Sequence, residues 1–200
     1  PPTVKQNATL PIMTGHIIDT VREDHNEIQA CYGRIVGSAD RQEQIRFQNL
    51  FTWALARNTV GKELVVYPAY EKHLSAGAAT AEKRRKQNHT VKEHLKKFQT
   101  LDPTNPTFIS TVKGLMEVLS PQMREEENND LVDLEQVLSD HDSISLSKSF
   151  NRTKIFMPSR AHPSAHSKPP FETVVGLLTA PIDQLGDLFR KWPHEKDVQT

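Results

Sequence analysis

The sequence predicts an all-α protein: an up-down four-helix bundle with a C-terminal proline-rich and helical extension. Three observations carry that prediction. Apolar residues recur at three- and four-residue steps along four long stretches, which is the spacing of one helical face. Short runs rich in proline or small residues join the stretches, and short joints make antiparallel neighbours. No stretch alternates with the two-residue period of a strand.

Residues 1 to 13 contain Pro1, Pro2 and Pro11 and no periodicity, so an irregular arm is expected there. A first helix is expected from about residue 16 to 37, with Ile18, Val21, His25, Ile28, Tyr32 and Ile35 on one seam. Asp40 can cap a second helix reaching about residue 74, whose face reads Phe47, Phe51, Ala54, Asn58, Lys62, Val65 and Ala69. Pro68 is expected to kink it, because proline removes a backbone donor. Small residues from 75 to 80 should form the turn into a third helix, about 81 to 101, with Asn88, Val91, Leu95 and Phe98 inward.

Asp102-Pro-Thr-Asn-Pro106 is a stop signal. A fourth helix should then run from about 107 to 138 through Val112, Leu115, Leu119, Gln122 and Glu126, bent at Pro121. Residues 139 to 170 read as polar and proline-rich, without a helix. Amphipathicity returns at Phe171, Val174, Val175, Leu177 and Leu178, and Pro181 suits the first turn of a short last helix with Ile182, Leu185, Leu188 and Phe189. The division expected is a bundle over residues 1–150 and an extension over 151–200 that packs on it.

Charge narrows the function classes. The 200 residues carry 25 basic and 25 acidic side chains, a balance that argues against a nucleic-acid binder. Lys83-Arg-Arg-Lys86 reads as a solvated helix face. No apolar run approaches the ~18 residues of a membrane span. No signal-peptide pattern is read at Pro1-Pro-Thr-Val, so a soluble, cytoplasmic protein is expected. Cys31 is the one cysteine and has no base at helical spacing, which makes it an inert thiol. No pattern bears on the oligomeric state.

Each of the four helices has a polar residue where its seam calls for an apolar one. The set is His25, Asn58, Lys62, Asn88, Gln122 and Glu126. In an up-down bundle, mid-helix positions meet at similar depth, so these six are expected to share one site. Buried polar groups cost several kcal/mol when unpartnered, so each must find a partner in that site. Of Glu125-Glu-Glu127, only Glu126 should face inward. His16, His141, His162, His166 and His194 read as surface residues, and Trp53 and Tyr67 as core.

At these positions the chain resembles the hemerythrin-like, or HHE cation-binding, family in its fungal form. Arg22-Glu-Asp-His25 resembles the family's first-helix motif, Ala56-Arg-Asn-Thr-Val-Gly-Lys-Glu-Leu-Val-Val-Tyr-Pro68 its second, and Met123-Arg-Glu-Glu-Glu-Asn-Asn-Asp-Leu131 its fourth. The stretches Arg152-Thr-Lys-Ile-Phe-Met-Pro-Ser-Arg-Ala-His-Pro163 and Lys168-Pro-Pro-Phe-Glu-Thr173 are similar to the fungal C-terminal extension. The resemblance implies a hemerythrin-like bundle with inward histidines and carboxylates holding two irons. Carried over position by position, His25 and Glu126 match that pattern. The second-helix pair is Asn58 and Lys62, the third-helix histidine slot falls on Asn88, and the fourth-helix histidine is Gln122. The adjacent His89 would point about 100° away.

The expected function follows from what replaced the ligands. Amides are poor iron ligands, and Lys62 sets an ammonium where a bridging carboxylate would sit. The expectation is a metal-free pocket that binds a small organic molecule, with no cofactor. His25, Lys62 and Glu126 would act as catalytic acid, base and oxyanion groups, and Asn58, Asn88 and Gln122 would bind the substrate. Proton-transfer chemistry of the isomerase, lyase or cyclase type fits these groups. Two alternatives stand beside it: a structural or protein-interaction bundle without catalysis, and a residual mononuclear iron site using His25 and Glu126 with His89 or Glu63.

Overall fold

The computed structural model describes residues 15–156, and every regular element among them is a helix. In chain order these are α1 (Ile17–Gly37), α2 (Arg41–Gly61), a first π-helical turn (Lys62–Val66), α3 (Tyr67–His73), α4 (Gly77–Gln99), α5 (Phe108–Glu125), a second π-helical turn (Glu126–Asp130), α6 (Leu131–Val137) and α7 (Asp140–Phe156). The helix α2, the first π turn and α3 follow one another without a break, and so do α5, the second π turn and α6. Four rods therefore stand where four helices are expected. The arm at 1–13, the segment from Phe171 onward, and His162, His166 and His194 lie outside the described residues.

Proline explains one departure from a regular rod. In a regular α-helix the Pro68 ring would clash with the carbonyl one turn back. The chain instead widens just before it, so that the Tyr67 amide reaches the Lys62 carbonyl in an i to i+5 bond. The expected kink at Pro68 takes the form of this π turn. Pro121, by contrast, lies inside α5, and the change of winding comes later, at Glu126.

The fifth helix, α7, corrects the expectation of a non-helical stretch after residue 139. Its start is capped reciprocally by Ser139, whose hydroxyl accepts from the Asp142 amide at 3.2 Å and donates to the Asp142 carboxylate at 2.8 Å. Its buried stripe is Ser143, Ser147, Phe150 and Thr153. Those positions have helical spacing, but three of the four are hydroxyl residues, so an apolar pattern cannot reveal them. Two of the hydroxyls meet α1, where Ser143 accepts from the Ile17 amide at 3.0 Å and Ser147 lies 2.6 Å from the Thr20 hydroxyl, while Thr153 donates to the Phe150 carbonyl at 2.6 Å. Lys154 pairs with buried Asp24.

The start of α1 has no cap of its own. Its free amides are met from elsewhere, Ile17 by Ser143 and Ile18 by the Glu135 carboxylate of α6 at 3.1 Å. His16, expected on the surface, is partly exposed and bonded to the same carboxylate, which holds its imidazole above the usual value. The start of α2 follows expectation, with Asp40 accepting from the Gln42 amide at 2.9 Å.

The core is in two parts. One apolar cluster gathers Ile28, Ile35, Phe51, Leu55, Val91, Leu95, Phe98, Val112, Leu115 and Met123. The other gathers Ile17, Val21, Val65, Val66, Tyr67, Tyr70, Ala81, Leu131, Leu134 and Phe150. Along every rod the passage from one cluster to the other crosses a buried polar residue: His25 on α1, Asn58 on α2 and Lys62 just after it, Arg84 and Asn88 on α4, and Glu126 after α5.

Two glycines mark where elements approach most closely. A side-chain carbon on Gly61 would lie 2.8 Å from the Phe150 ring, and one on Gly77 would lie 1.8 Å from the Tyr70 carbonyl oxygen. Gly61→Ala should therefore destabilise the protein by about 1–3 kcal/mol, the range of core overpacking. Gly77→Ala should cost more, because its clash is with backbone rather than a ring edge. Urea denaturation of the two variants checks both the sign and the order.

Candidate functional site

The polar layer is organised by Glu126, which is 1% exposed at the start of the second π turn. Its Oε2 accepts from the Lys62 ammonium at 2.9 Å and stands 3.6 Å from His25 Nε2. Burial pushes its carboxyl up, but Lys62 and then His25 outweigh that, so Glu126 titrates below the usual glutamate value. Three of the six residues picked from sequence, His25, Lys62 and Glu126, are thus in one buried group. Asn58 and Asn88 are buried in the same layer, and Asn88 donates to the Tyr67 hydroxyl at 2.8 Å.

Gln122 departs from expectation. It is half-buried, and Met123 takes the buried place beside it. What Gln122 brings to the layer is its main-chain carbonyl, 3.5 Å from Arg84 Nη1. His89 is exposed, as its position one residue past Asn88 implies.

Several residues of the layer escaped the sequence reading or, like Glu63, entered it only as a ligand of the alternative iron site. Arg84 is 2% exposed, not part of a solvated face, and bonds Asp130 at 2.5 Å and Glu125 at 3.3 Å. Its spacing held the signal, since Ala81, Arg84, Asn88 and Val91 share one face of α4. Glu127 turns inward as well, and its Oε1 lies 2.6 Å from His25 Nδ1. Glu63, 5% exposed, pairs with Arg85 at 3.3 Å. Both glutamates sit in π turns, where each residue rotates less about the axis than in an α-helix, so neighbours such as Glu126 and Glu127 can face the same side. A sequence read at a period of 3.6 cannot anticipate that.

Tyr67 and Tyr70 stack with ring centroids 6.1 Å apart, completing the layer toward the second apolar cluster. Burial, and after it the charge of Glu126, pushes both phenols well above their usual range, so they stay neutral donors. Five buried atoms in this region have no hydrogen-bond partner among the described residues: His25 Nε2, Asn58 Nδ2, Tyr70 OH, Arg84 Nη2 and Glu126 Oε1.

A bundle with converging polar groups from four rods at its mid-depth belongs to the class that builds a ligand or metal site between helices. The comparisons name the class more closely. Residues 16–134 match the hemerythrin HHE cation binding domain, and the chain belongs to that family. It is also similar to an uncharacterized hemerythrin-like protein of Schizosaccharomyces pombe, 46% identical over 178 residues that make up 88% of each chain. No solved structure gives a significant match.

The iron that the family implies does not fit these residues. A pair of irons calls for several imidazoles and bridging anions, whereas Asn58, Asn88 and Gln122 offer neutral amides and Lys62 a cation 2.9 Å from the Glu126 carboxylate. Among the described residues, no three of the histidine, cysteine, aspartate and glutamate side chains are grouped to hold a metal ion.

Two outcomes are expected from the ion pair. Lys62→Met alone should cost about 3–5 kcal/mol, because it leaves Glu126 buried without its cation, while Lys62→Met with Glu126→Leu should recover most of that loss. Denaturant titration of the single and double variants measures both. The second concerns pH. Because the folded value of Glu126 is lowered, its contribution is present above the unfolded value of 4.5 and is lost as pH falls through the lower folded value. Between pH 7 and pH 3 the native protein should therefore lose more stability than Glu126→Gln does.

Proposed function

We propose that this chain is a metal-independent member of its family, whose former iron position accepts a small organic molecule and moves protons on it by acid and base groups. The observation that supports the reading is the set of five partnerless buried atoms around Glu126. Each such atom costs about 1–3 kcal/mol unless a guest satisfies it. Three are donors (Asn58, Tyr70, Arg84) and two can accept (Glu126, His25), so the guest they suit carries both an acceptor and a donor, as a phenol does, or an enolisable carbonyl compound in its enol form.

The roles follow from the chemistry of each group. His25 Nε2 is the base, and Glu126 holds the ammonium of Lys62 beside it. That ammonium is placed to meet negative charge developing on a carbonyl oxygen, which favours an enolate-like state. Asn58 and Asn88 orient the guest, with Asn88 acting through the Tyr67 hydroxyl; Gln122 contributes only its carbonyl. No cofactor has a role in this scheme.

One observation favours the second reading, a structural bundle without catalysis. Each charge of the layer already has a partner, with Lys62 on Glu126, Arg84 on Asp130 and Glu63 on Arg85. A surface groove of about 300 Å³, lined by Tyr32, Lys113, Met116, Glu117, Ser120 and Arg124, includes none of the six expected site residues.

The experiment is a titration of the purified chain with phenol and with cyclohexanone, read at the His25 ring by NMR, beside an iron assay. The expected result is far less than one iron per chain and a His25 shift that Asn58→Leu abolishes. For any reaction then found, His25→Ala should lower kcat by about 10²-fold or more. Two irons per chain would overturn the metal-independent reading, and an unmoved His25 with both probes would leave the structural bundle in its place.

A further inference from the structure

We propose that Glu127 is the positioning residue for His25: its carboxylate fixes the imidazole as the Nδ1–H tautomer and connects that buried ring to solvent. The inference rests on the reading of His25 as the interior base and deepens it. Its starting point is a contact between two unequal environments. The His25 side chain is 0% exposed, while that of Glu127 is 25% exposed, and the two meet at 2.6 Å between Nδ1 and Oε1.

Hydrogen-bond chemistry gives the direction. An ionised carboxylate can only accept, so Nδ1 must carry the proton. A bond this short is of the charge-assisted kind, about twice as strong as a neutral one. On the other side of the ring Nε2 makes no hydrogen bond: it is 3.6 Å from Glu126 Oε2, and that oxygen is already taken by the Lys62 ammonium at 2.9 Å. Nε2 therefore keeps its lone pair toward the layer, which is the form a base requires. Without Glu127, the ring would gain by turning its proton to Nε2 and donating to Glu126, and the lone pair would then face outward.

The backbone supports the same assignment. Glu127 reaches His25 from the second π turn, where widened winding lets it face inward beside Glu126. Its carbonyl is held by Arg22 Nη2 at 3.2 Å, three residues before His25 on α1. The turn is thus tied to α1 through both main chain and side chain.

The proton balance is simple. A proton leaving a carbon or oxygen of the guest goes to Nε2, and its electron pair stays on the guest beside Lys62. The Nδ1 proton can pass to Glu127 and on to water. Nε2 then returns its proton to another atom of the guest while Nδ1 regains one from water through Glu127, so that guest and ring both end neutral and the Nδ1–H tautomer is restored. No oxidant or reductant takes part.

The test uses the full chain labelled with ¹⁵N and no added guest, and reads the two ring nitrogens of His25 at neutral pH. The native protein should show a protonated Nδ1 and a bare Nε2. Glu127→Ala should move the proton to Nε2, and Glu127→Asp, which keeps the carboxylate, should restore Nδ1–H in part, with helix content by circular dichroism unchanged in both. A native ring protonated at Nε2, or on both nitrogens, overturns the proposal, as does an unchanged tautomer in folded Glu127→Ala. Should Glu127→Ala not fold, the native spectrum with Glu127→Asp still decides it. These spectra are independent of guest binding, so failure here and failure of the phenol and cyclohexanone titration are separate results.

Discussion

An ammonium held 2.9 Å from a carboxylate in the middle of a helical bundle is the constraint on which the rest of this structure depends. Taking two such charges out of water costs several kcal/mol per ion, and their attraction repays it only at close range with further hydrogen bonds. Lys62 and Glu126 come from different rods, so the contact also sets register. Sliding one rod by a turn against the other would separate Lys62 from Glu126 and leave the ammonium buried without its carboxylate. In the family's pattern a metal supplies the positive charge at this depth. Here Lys62 sets a covalently attached ammonium at that depth, and the Arg84 guanidinium is buried in the same layer.

The two π turns are the backbone's answer to that layer. One begins at Lys62 and the other at Glu126, the two members of the pair. A regular helix presents about one residue in 3.6 to the interior. A π turn spreads more of the chain over one circuit, and each of these turns brings an acidic neighbour in with its first residue: Glu63 beside Lys62, Glu127 beside Glu126. The extra width is paid for by poorer helical geometry, which is why such turns are rare and recur at functional positions. Pro68 makes the first turn easier, since a tighter helix would clash there.

How much of this was legible follows from the kind of signal each residue leaves. The four rods were legible because their faces are apolar at a steady spacing, and the family motifs made the fold plain. His25, Asn58, Lys62, Asn88 and Glu126 were legible because each breaks such a face. Arg84 was hidden by its neighbours, since a run of four basic residues reads as solvated even when one of them lies on the buried stripe. Glu127 was hidden by the winding of the backbone, which no residue pattern encodes. The helix α7 was hidden because its inner stripe bonds through hydroxyls rather than packing through methyl groups. Gln122 failed in the opposite way, placed inside by spacing while Met123 fills the interior.

The weight behind a functional reading comes from what the layer does not do for stability. Apolar clusters are complete on both sides of it, so burial of hydrocarbon already joins the rods. Replacing a buried ion pair with well-packed apolar groups is often neutral or stabilising by about 1–4 kcal/mol. Each partnerless atom among His25, Asn58, Tyr70, Arg84 and Glu126 adds a desolvation penalty of about 1–3 kcal/mol that a leucine or methionine would avoid. Folding alone would therefore favour a dry interior at this depth. A layer that keeps an ammonium, a carboxylate, an imidazole and two amides against that preference supports the proposal that it meets polar groups brought from outside the chain.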